Sequence, residues 1–139
     1  ADNKEYENKT PLTEGTMTII QEADFAKKLD AAPKALYSDA QLEKKIFDVL
    51  TFRWRKTTII KKVILTEKEW RVERNALGVP TCKVLKCYAI TSPSSGEYAN
   101  TCFATPYEVK YEYLENGTYS NELKWHSSGG RPNYEVACD

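Results

Sequence analysis

The sequence predicts one α+β domain, in which N-terminal helices pack on a curved antiparallel β-meander of about five or six strands stapled by disulfides. Apolar residues recur at helical spacing up to about residue 55, and at a spacing of two beyond residue 57. All four cysteines lie in the strand-like second half of the chain. A chain of 139 residues has the usual length of a single domain. We expect that domain to cover residues 16–139.

The first residues are predicted to be a tail followed by short elements. Residues 1–15 are polar and charged and show no periodicity, which is typical of a disordered tail. Residues 17–20 suit a short strand or a hydrophobic lead-in. Residues 23–29 suit a short helix, which Pro33 closes.

The strongest helix signal begins at Ser38. Ser38 and Gln41 fit a capping box, in which each side chain binds a free amide of the first turn. The apolar residues that then recur on one face are Leu42, Ile46, Phe47, Val49, Leu50 and Trp54. Glu43 and Arg53 also point to this side, where they either line a pocket or extend to water. The pattern predicts a helix over residues 39–55 that covers a sheet.

Alternating residues beyond position 57 predict the sheet. In residues 69–73 the alternation places Trp70 and Val72 on one face and charged side chains on the other. Turns are indicated by residues 75–80 and by the Pro- and Gly-containing segment 92–96. The predicted strands cover residues 59–65, 69–73, 81–91, 98–114, 119–125 and 134–138.

Side-chain pairing favours one register for the hairpin after the longest strand. A three-residue loop at 115–117, with Gly117 in the left-handed region, puts Tyr113 opposite Tyr119. A two-residue Asn-Gly turn would put Tyr113 opposite Ser120 instead and would pair an apolar residue with a lysine. The other pairs predicted by the three-residue loop are Tyr111–Asn121, Val109–Leu123, Tyr107–Trp125, Lys110–Glu122 and Glu108–Lys124.

Four cysteines in a small domain favour disulfides and an oxidising compartment. Folding the two central strands about residues 94–95 brings Cys87 opposite Cys102, within reach of a bridge. Cys82 is then left to pair with Cys138. The rival connectivity, Cys102–Cys138 with Cys82–Cys87, requires a bend, because residues five apart in a strand lie about 16 Å apart. We expect all four cysteines to be oxidised.

Composition argues against several functional classes. The 20 basic and 20 acidic residues balance, so no excess of positive charge favours nucleic acid or an anionic membrane. No apolar run approaches the roughly 20 residues that cross a bilayer, and no signal peptide is recognisable. A zinc site is disfavoured, since the cysteine spacings are wide and His126 is the only histidine. We expect a secreted or periplasmic protein with no metal and no cofactor.

A helical start followed by a long antiparallel meander resembles the NTF2-like domains and, more distantly, the cystatin-like roll. The resemblance covers residues 16–139 as an order of elements, without a shared motif. The NTF2-like resemblance implies a pocket between helix and sheet that binds a small molecule or performs proton transfer. The cystatin-like resemblance implies two disulfides in the C-terminal half. The Gln-x-Val-x-Gly loop of inhibitory cystatins is absent, and no residue role is carried over from either family.

The candidate binding residues are aromatic side chains of the long hairpin, together with the histidine that follows them. They are Tyr107, Tyr111, Tyr113, Tyr119, Trp125 and His126. The aromatic residues suit a surface that stacks on sugars or on a protein, and equally a face packed under the helix. The histidine is either a base beside a flexible loop or an exposed turn residue.

No pattern in the sequence assigns a catalytic residue. We therefore predict a non-catalytic binding or protein-interaction domain, with a protein or small molecule as its partner. The alternative is a small-molecule carrier or a small enzyme that uses a pocket between helix and sheet.

Overall fold

The computed structural model describes residues 29–138, which form one helix packed on an open, six-stranded antiparallel sheet. The elements are α1 (Ala40–Arg53), β1 (Thr58–Ile64), β2 (Arg71–Arg74), β3 (Pro80–Pro93), β4 (Cys102–Glu112), β5 (Lys124–Ser127) and β6 (Tyr134–Val136). This architecture confirms the predicted α+β class. The predicted tail over residues 1–15, the segment 17–20 and all but the last residue of the predicted helix 23–29 lie outside the described residues.

Helix α1 begins at a different cap from the predicted one. Asp39 is the N-cap, and its carboxylate accepts a hydrogen bond from the Leu42 amide at 3.1 Å. The Glu43 carboxylate reaches back to accept from the Asp39 amide at 2.8 Å. The predicted capping box was therefore wrong, because the N-cap lies one residue after Ser38 and the side chain that reaches back, Glu43, lies two residues after Gln41. The reciprocal pair satisfies two amides that otherwise have no partner in the helix.

The apolar face of α1 packs on the middle of the sheet, as its periodicity predicted. Ile46 and Leu50 are 0% exposed and contact a buried cluster that includes Leu85 and Val109. The remaining members of the predicted stripe are partly buried against the same cluster, namely Leu42, Phe47, Val49 and Trp54. The helix has 14 residues, and the described part of the chain holds no helix that is long and apolar enough to cross a membrane.

The two long strands β3 and β4 are the centre of the sheet, and each pairs with two short strands on its outer edge. β1 pairs with the C-terminal half of β3, and β2 pairs with its N-terminal half. In the same way, β5 and β6 pair with different parts of β4. β1 and β2 therefore do not form a hairpin with each other, because the 14 residues of β3 are enough to pair with both.

The register of the β4–β5 hairpin is confirmed near its turn and shifts farther from it. Tyr113 forms a bridge with Tyr119, as the three-residue loop predicted. Beyond this bridge the strands slip by two residues, so Val109 faces Trp125. The slip arises because the Ser120 hydroxyl accepts from the Glu122 amide at 3.0 Å, which forms a local turn. A slip of two residues leaves each side chain on its predicted face.

The other predicted pairs of this hairpin are corrected by this slip and by a further one-residue register shift between Glu108 and Val109. Lys110 faces Lys124 and not Glu122, and Glu108 faces Ser127 and not Lys124. Lys124 forms its ion pair with Glu112, at 3.1 Å. The charge pairing that supported the predicted register therefore persists, but with a carboxylate four residues farther along β4.

The predicted disulfide pairing was wrong. The structure joins Cys102 to Cys138, with the Cα atoms 5.2 Å apart, and leaves Cys82 and Cys87 as buried thiols. The predicted Cys87–Cys102 bridge fails because the β3–β4 connection is wider than expected, so that Cys87 pairs with Tyr107. One of the two bridges of the rival connectivity, Cys102–Cys138, is present. Its Cys82–Cys87 bridge does not form, since residues five apart on β3 point to opposite faces.

Truncating the buried side chain of Leu50 to Ala is expected to lower the free energy of unfolding by about 2–5 kcal/mol, because it opens a cavity beneath the helix. Chemical denaturation monitored by circular dichroism measures the loss. The matched control is Leu77→Ala, at a side chain that is 88% exposed, where we expect a change within about 0.5 kcal/mol. A loss at Leu50 as small as that of the control would mean that α1 is not part of the core.

Alkylation of the thiols is expected to report this connectivity. Burial raises the pKa of the Cys87 thiol to about 12, so Cys87 should resist iodoacetamide in the folded protein at neutral pH. Unfolding without reductant should expose Cys82 and Cys87 to the reagent, whereas Cys102 and Cys138 should react only after reduction. Peptide mapping by mass spectrometry reads the result. A peptide that links Cys87 to Cys102 would contradict the structure.

Candidate functional site

An open groove runs between the C-terminal half of α1 and strand β5. It has a volume of about 520 Å³. Its apolar lining comes from Val49 and Phe52 of the helix and from Leu123 and Trp125 of the hairpin. Phe52 is 69% exposed, although large apolar side chains are usually covered. Charged residues of both signs also line the groove: Asp48, Arg53, Arg55, Glu122 and Lys124.

Aromatic and guanidinium groups stack along this groove. Trp125 packs edge-on against Trp54, with the ring centroids 6.3 Å apart. The Arg53 guanidinium lies 4.1 Å from the centroid of the Trp125 ring, and that of Arg55 lies 4.2 Å from the Phe52 ring. The Arg53 guanidinium therefore makes a cation–π contact with the face of the Trp125 ring. The sequence placed Arg53 on this side of the helix without identifying its aromatic partner.

The predicted aromatic residues fall into two groups. Tyr107 is 4% exposed and belongs to the core, where it packs near Trp54 at 6.4 Å between centroids. Trp125 lies beside them and also lines the groove. Tyr111, Tyr113 and Tyr119 lie elsewhere on the hairpin, so the structure does not bring all five residues together as one stacking surface.

The second aromatic group surrounds the amine of Lys83. Tyr111 stacks on Trp70 with the ring centroids 5.0 Å apart, and Tyr113 packs edge-on against Tyr119 at 5.3 Å. The Lys83 ammonium lies 4.8 Å from the centroid of the Tyr119 ring and 5.4 Å from that of Trp70. The Lys83 ammonium therefore already occupies one face of this aromatic group.

His126 lies on the opposite face of the sheet from the helix, because it alternates with Trp125 along β5. Its Nε2 is 3.3 Å from a carboxylate oxygen of Glu73 and 3.9 Å from one of Glu108. Its side chain is only 21% exposed. His126 is therefore a member of a polar cluster and not an exposed turn residue.

The two carboxylates beside His126 are held in the ionised state. Burial alone would raise the pKa of Glu108, but hydrogen bonds from Arg71 at 3.3 Å and from Ser127 at 2.8 Å outweigh it and lower that pKa. The hydrogen bond from Arg71 at 2.6 Å likewise lowers the pKa of Glu73. Both groups are thus acceptors of hydrogen bonds or ligands for a cation, and neither is suited to act as a general acid near neutral pH.

Several of these residues were not identified from the sequence. Phe52 lies outside the predicted apolar stripe, and nothing in the pattern marks it as part of a groove. Glu73 of β2 lies opposite Cys82 of β3. This pair could have been predicted, because a hairpin folded about the predicted turn at 75–80 brings the two residues together. Their approach to His126 had no such signal, because β4 lies between β3 and β5 in the sheet.

No protein-family model, curated protein or solved structure matches this chain. The class of the protein therefore rests on its fold, an α+β domain with a helix on an antiparallel sheet. Its function has to be argued from the groove and from the polar cluster themselves.

Ionisation of Tyr107 is expected to destabilise the protein at alkaline pH. Burial raises its pKa from 10.0 to about 12 in the folded chain. Between these two pKa values the folded state binds more protons than the unfolded state. The stability that the neutral Tyr107 phenol contributes is therefore fully present below pH 10 and is lost as the pH rises towards 12. Urea midpoints measured across this range should fall more steeply for the wild type than for Tyr107→Phe. The control Tyr98→Phe removes a phenol that is 56% exposed and should keep the wild-type slope. Parallel curves for wild type and Tyr107→Phe would contradict the expectation.

Proposed function

We propose that this chain is an exported, non-catalytic binding domain that holds a segment of a partner protein in the groove between α1 and β5. The observation that carries the proposal is the exposed Phe52 ring beside Trp125, in an open groove lined with charged side chains. An exposed aromatic ring in a groove beside a partly buried tryptophan is typical of an interaction site.

The core beneath the helix favours this proposal over a carrier or enzyme with an interior pocket. Ile46 and Leu50 of α1 and Leu85, Cys87 and Val109 of the sheet are all 0% exposed. These side chains fill the space between helix and sheet where an NTF2-like pocket would lie. A small-molecule site usually encloses most of its ligand, whereas this groove is open along its length.

The groove suits a protein segment better than it suits a small apolar molecule. Tryptophan, phenylalanine and arginine supply the contacts that dominate many protein interfaces, and a polar rim is typical of such sites. Asp48 and Glu122 present negative charge, while Arg55 and Lys124 present positive charge. We expect the bound segment to carry one large apolar side chain flanked by charged residues of both signs.

Export is the second part of the proposal, and the disulfide supports it. Cys102 and Cys138 close a span of 36 residues, and disulfides persist mainly in oxidising compartments such as the periplasm or the extracellular space. The proposed architecture is that of an NTF2-like or cystatin-like roll. The single described helix across an antiparallel sheet supports it at the level of element arrangement alone.

Selection of peptides on the folded protein tests the groove. Peptides enriched from a random displayed library on the wild type should carry an apolar anchor, and Phe52→Ala should weaken them by about 30-fold. That factor corresponds to the roughly 2 kcal/mol of a hot-spot residue. Fluorescence polarisation with a labelled peptide measures the change. Leu77→Ala, which removes an 88% exposed side chain from the β2–β3 turn, is the matched control and should bind like the wild type.

Two results would overturn the proposal. One is a set of selected peptides that bind Phe52→Ala and wild type equally. The other is a peptide whose chemical-shift changes map away from α1 and β5. Because Phe52 is mostly exposed, circular dichroism should show the same fold in the variant.

A further inference from the structure

Three side chains with metal-binding atoms converge on the face of the sheet that the helix leaves free. Glu73 of β2 and Cys82 of β3 are direct cross-strand partners, and His126 reaches them from β5. One ligand atom from each residue lies within 4.8 Å of the other two. A carboxylate, a thiol and an imidazole from three different strands therefore lie close together.

Two of the three separations between the ligand atoms match the edges of a tetrahedral metal site. With metal–oxygen and metal–nitrogen distances of about 2.0 Å and a metal–sulfur distance of about 2.3 Å, tetrahedral zinc separates its ligand atoms by roughly 3.3–3.5 Å. The Oε1 atom of Glu73 lies 3.3 Å from Nε2 of His126 and 3.8 Å from Sγ of Cys82. These two edges fit the tetrahedral values to within a few tenths of an ångström. The third edge, between Sγ of Cys82 and Nε2 of His126, lies within 4.8 Å.

The residues behind these three side chains hold them in place. Arg71 binds the other oxygen of Glu73 at 2.6 Å, which leaves Oε1 directed towards Cys82 and His126. Arg71 and Ser127 also fix the buried Glu108 carboxylate, 3.9 Å from His126. Metal sites in proteins commonly have such an outer layer, which orients the ligands.

Charge in the cluster also suits a divalent ion. Glu73 and Glu108 are ion-paired with a single guanidinium, that of Arg71. The two carboxylates and the one guanidinium leave one net negative charge beside the cluster, and a divalent ion that binds Sγ displaces the thiol proton to solvent. The mixed sulfur, nitrogen and oxygen donors favour zinc over magnesium or calcium, which prefer oxygen alone.

We propose that Glu73, Cys82 and His126 form a binding site for a divalent transition metal of the zinc class. The metal is held by Oε1, Sγ and Nε2, and its fourth position is taken by water. The Glu73 and His126 side chains are 35% and 21% exposed, so the ion has a path from solvent. The site lies on the other face of the sheet from the peptide groove, and neither proposal depends on the other.

Metal titration of the full chain tests the site, with the disulfide left intact and without added thiol. After removal of metal with a chelator, Zn²⁺ should bind at one ion per chain. Co²⁺ in its place should give the near-ultraviolet thiolate-to-cobalt band and the intense visible bands of a tetrahedral ion. At a urea concentration at which the buried Cys82 thiol of the wild type reacts with iodoacetamide, bound Zn²⁺ should slow this alkylation, a measurement that needs no variant.

Variants distinguish ligands from supporting residues. Cys82→Ser and His126→Gln are expected to weaken Zn²⁺ binding by more than about 100-fold, and Glu108→Gln by about 10- to 100-fold, the range typical of outer-layer partners. The matched control is Cys87→Ala, which removes the other buried thiol, on the opposite face, and should bind Zn²⁺ like the wild type. Circular dichroism of the metal-free variants checks their folding.

Three outcomes would overturn the proposal. They are the absence of a thiolate-to-cobalt band, equal Zn²⁺ affinity of Cys82→Ser and wild type, and alkylation of Cys82 at the same rate with and without Zn²⁺. The last applies even if the ligand variants fail to fold. Peptide binding at Phe52 is measured separately, so either proposal can fail while the other stands.

Discussion

The pairing of β3 with β4 is the interaction on which the rest of the structure depends. Its ladder runs without interruption from Cys82 opposite Glu112 to Thr91 opposite Phe103. Each of these strands has a second edge, and the four short strands attach to those edges. Because side chains alternate along a strand, this one register decides which residues face the helix and which face the other side.

Alternation along these strands gives the two faces different chemistry. On the helix side, Leu85, Cys87 and Val109 are fully buried, so the part of that face beneath the helix is closed by packing. On the other side, the residues between them include Glu108, whose charge is retained by Arg71 and Ser127. A helix of 14 residues is about 21 Å long and crosses the centre of the sheet. The groove lies where the C-terminal half of this helix meets β5 at the edge.

Local chemistry explains which features could be predicted from the sequence. The apolar stripe of α1 and the Tyr113–Tyr119 bridge depend on residues close in the chain, and both were found. The cap was misplaced by one residue because Ser38 and Asp39 are both good N-caps. The disulfide was missed because it depends on the width of the β3–β4 connection, which side-chain patterns do not fix. The cluster around His126 was missed for a similar reason, since it forms only when side chains of β2 and β5 meet across two other strands.

The two unpaired cysteines show how a chain can keep reduced thiols beside a disulfide. Cys87 is enclosed on the helix side, where burial raises its pKa to about 12 and so suppresses the reactive thiolate. Cys82 is also buried, but its sulfur lies 3.8 Å from a carboxylate oxygen and faces a polar cluster. Strand alternation keeps the two sulfurs on opposite faces of β3, so an oxidant cannot join them in a disulfide. Burial in an apolar core accounts for the inert thiol at Cys87, whereas Cys82 combines burial with a carboxylate neighbour.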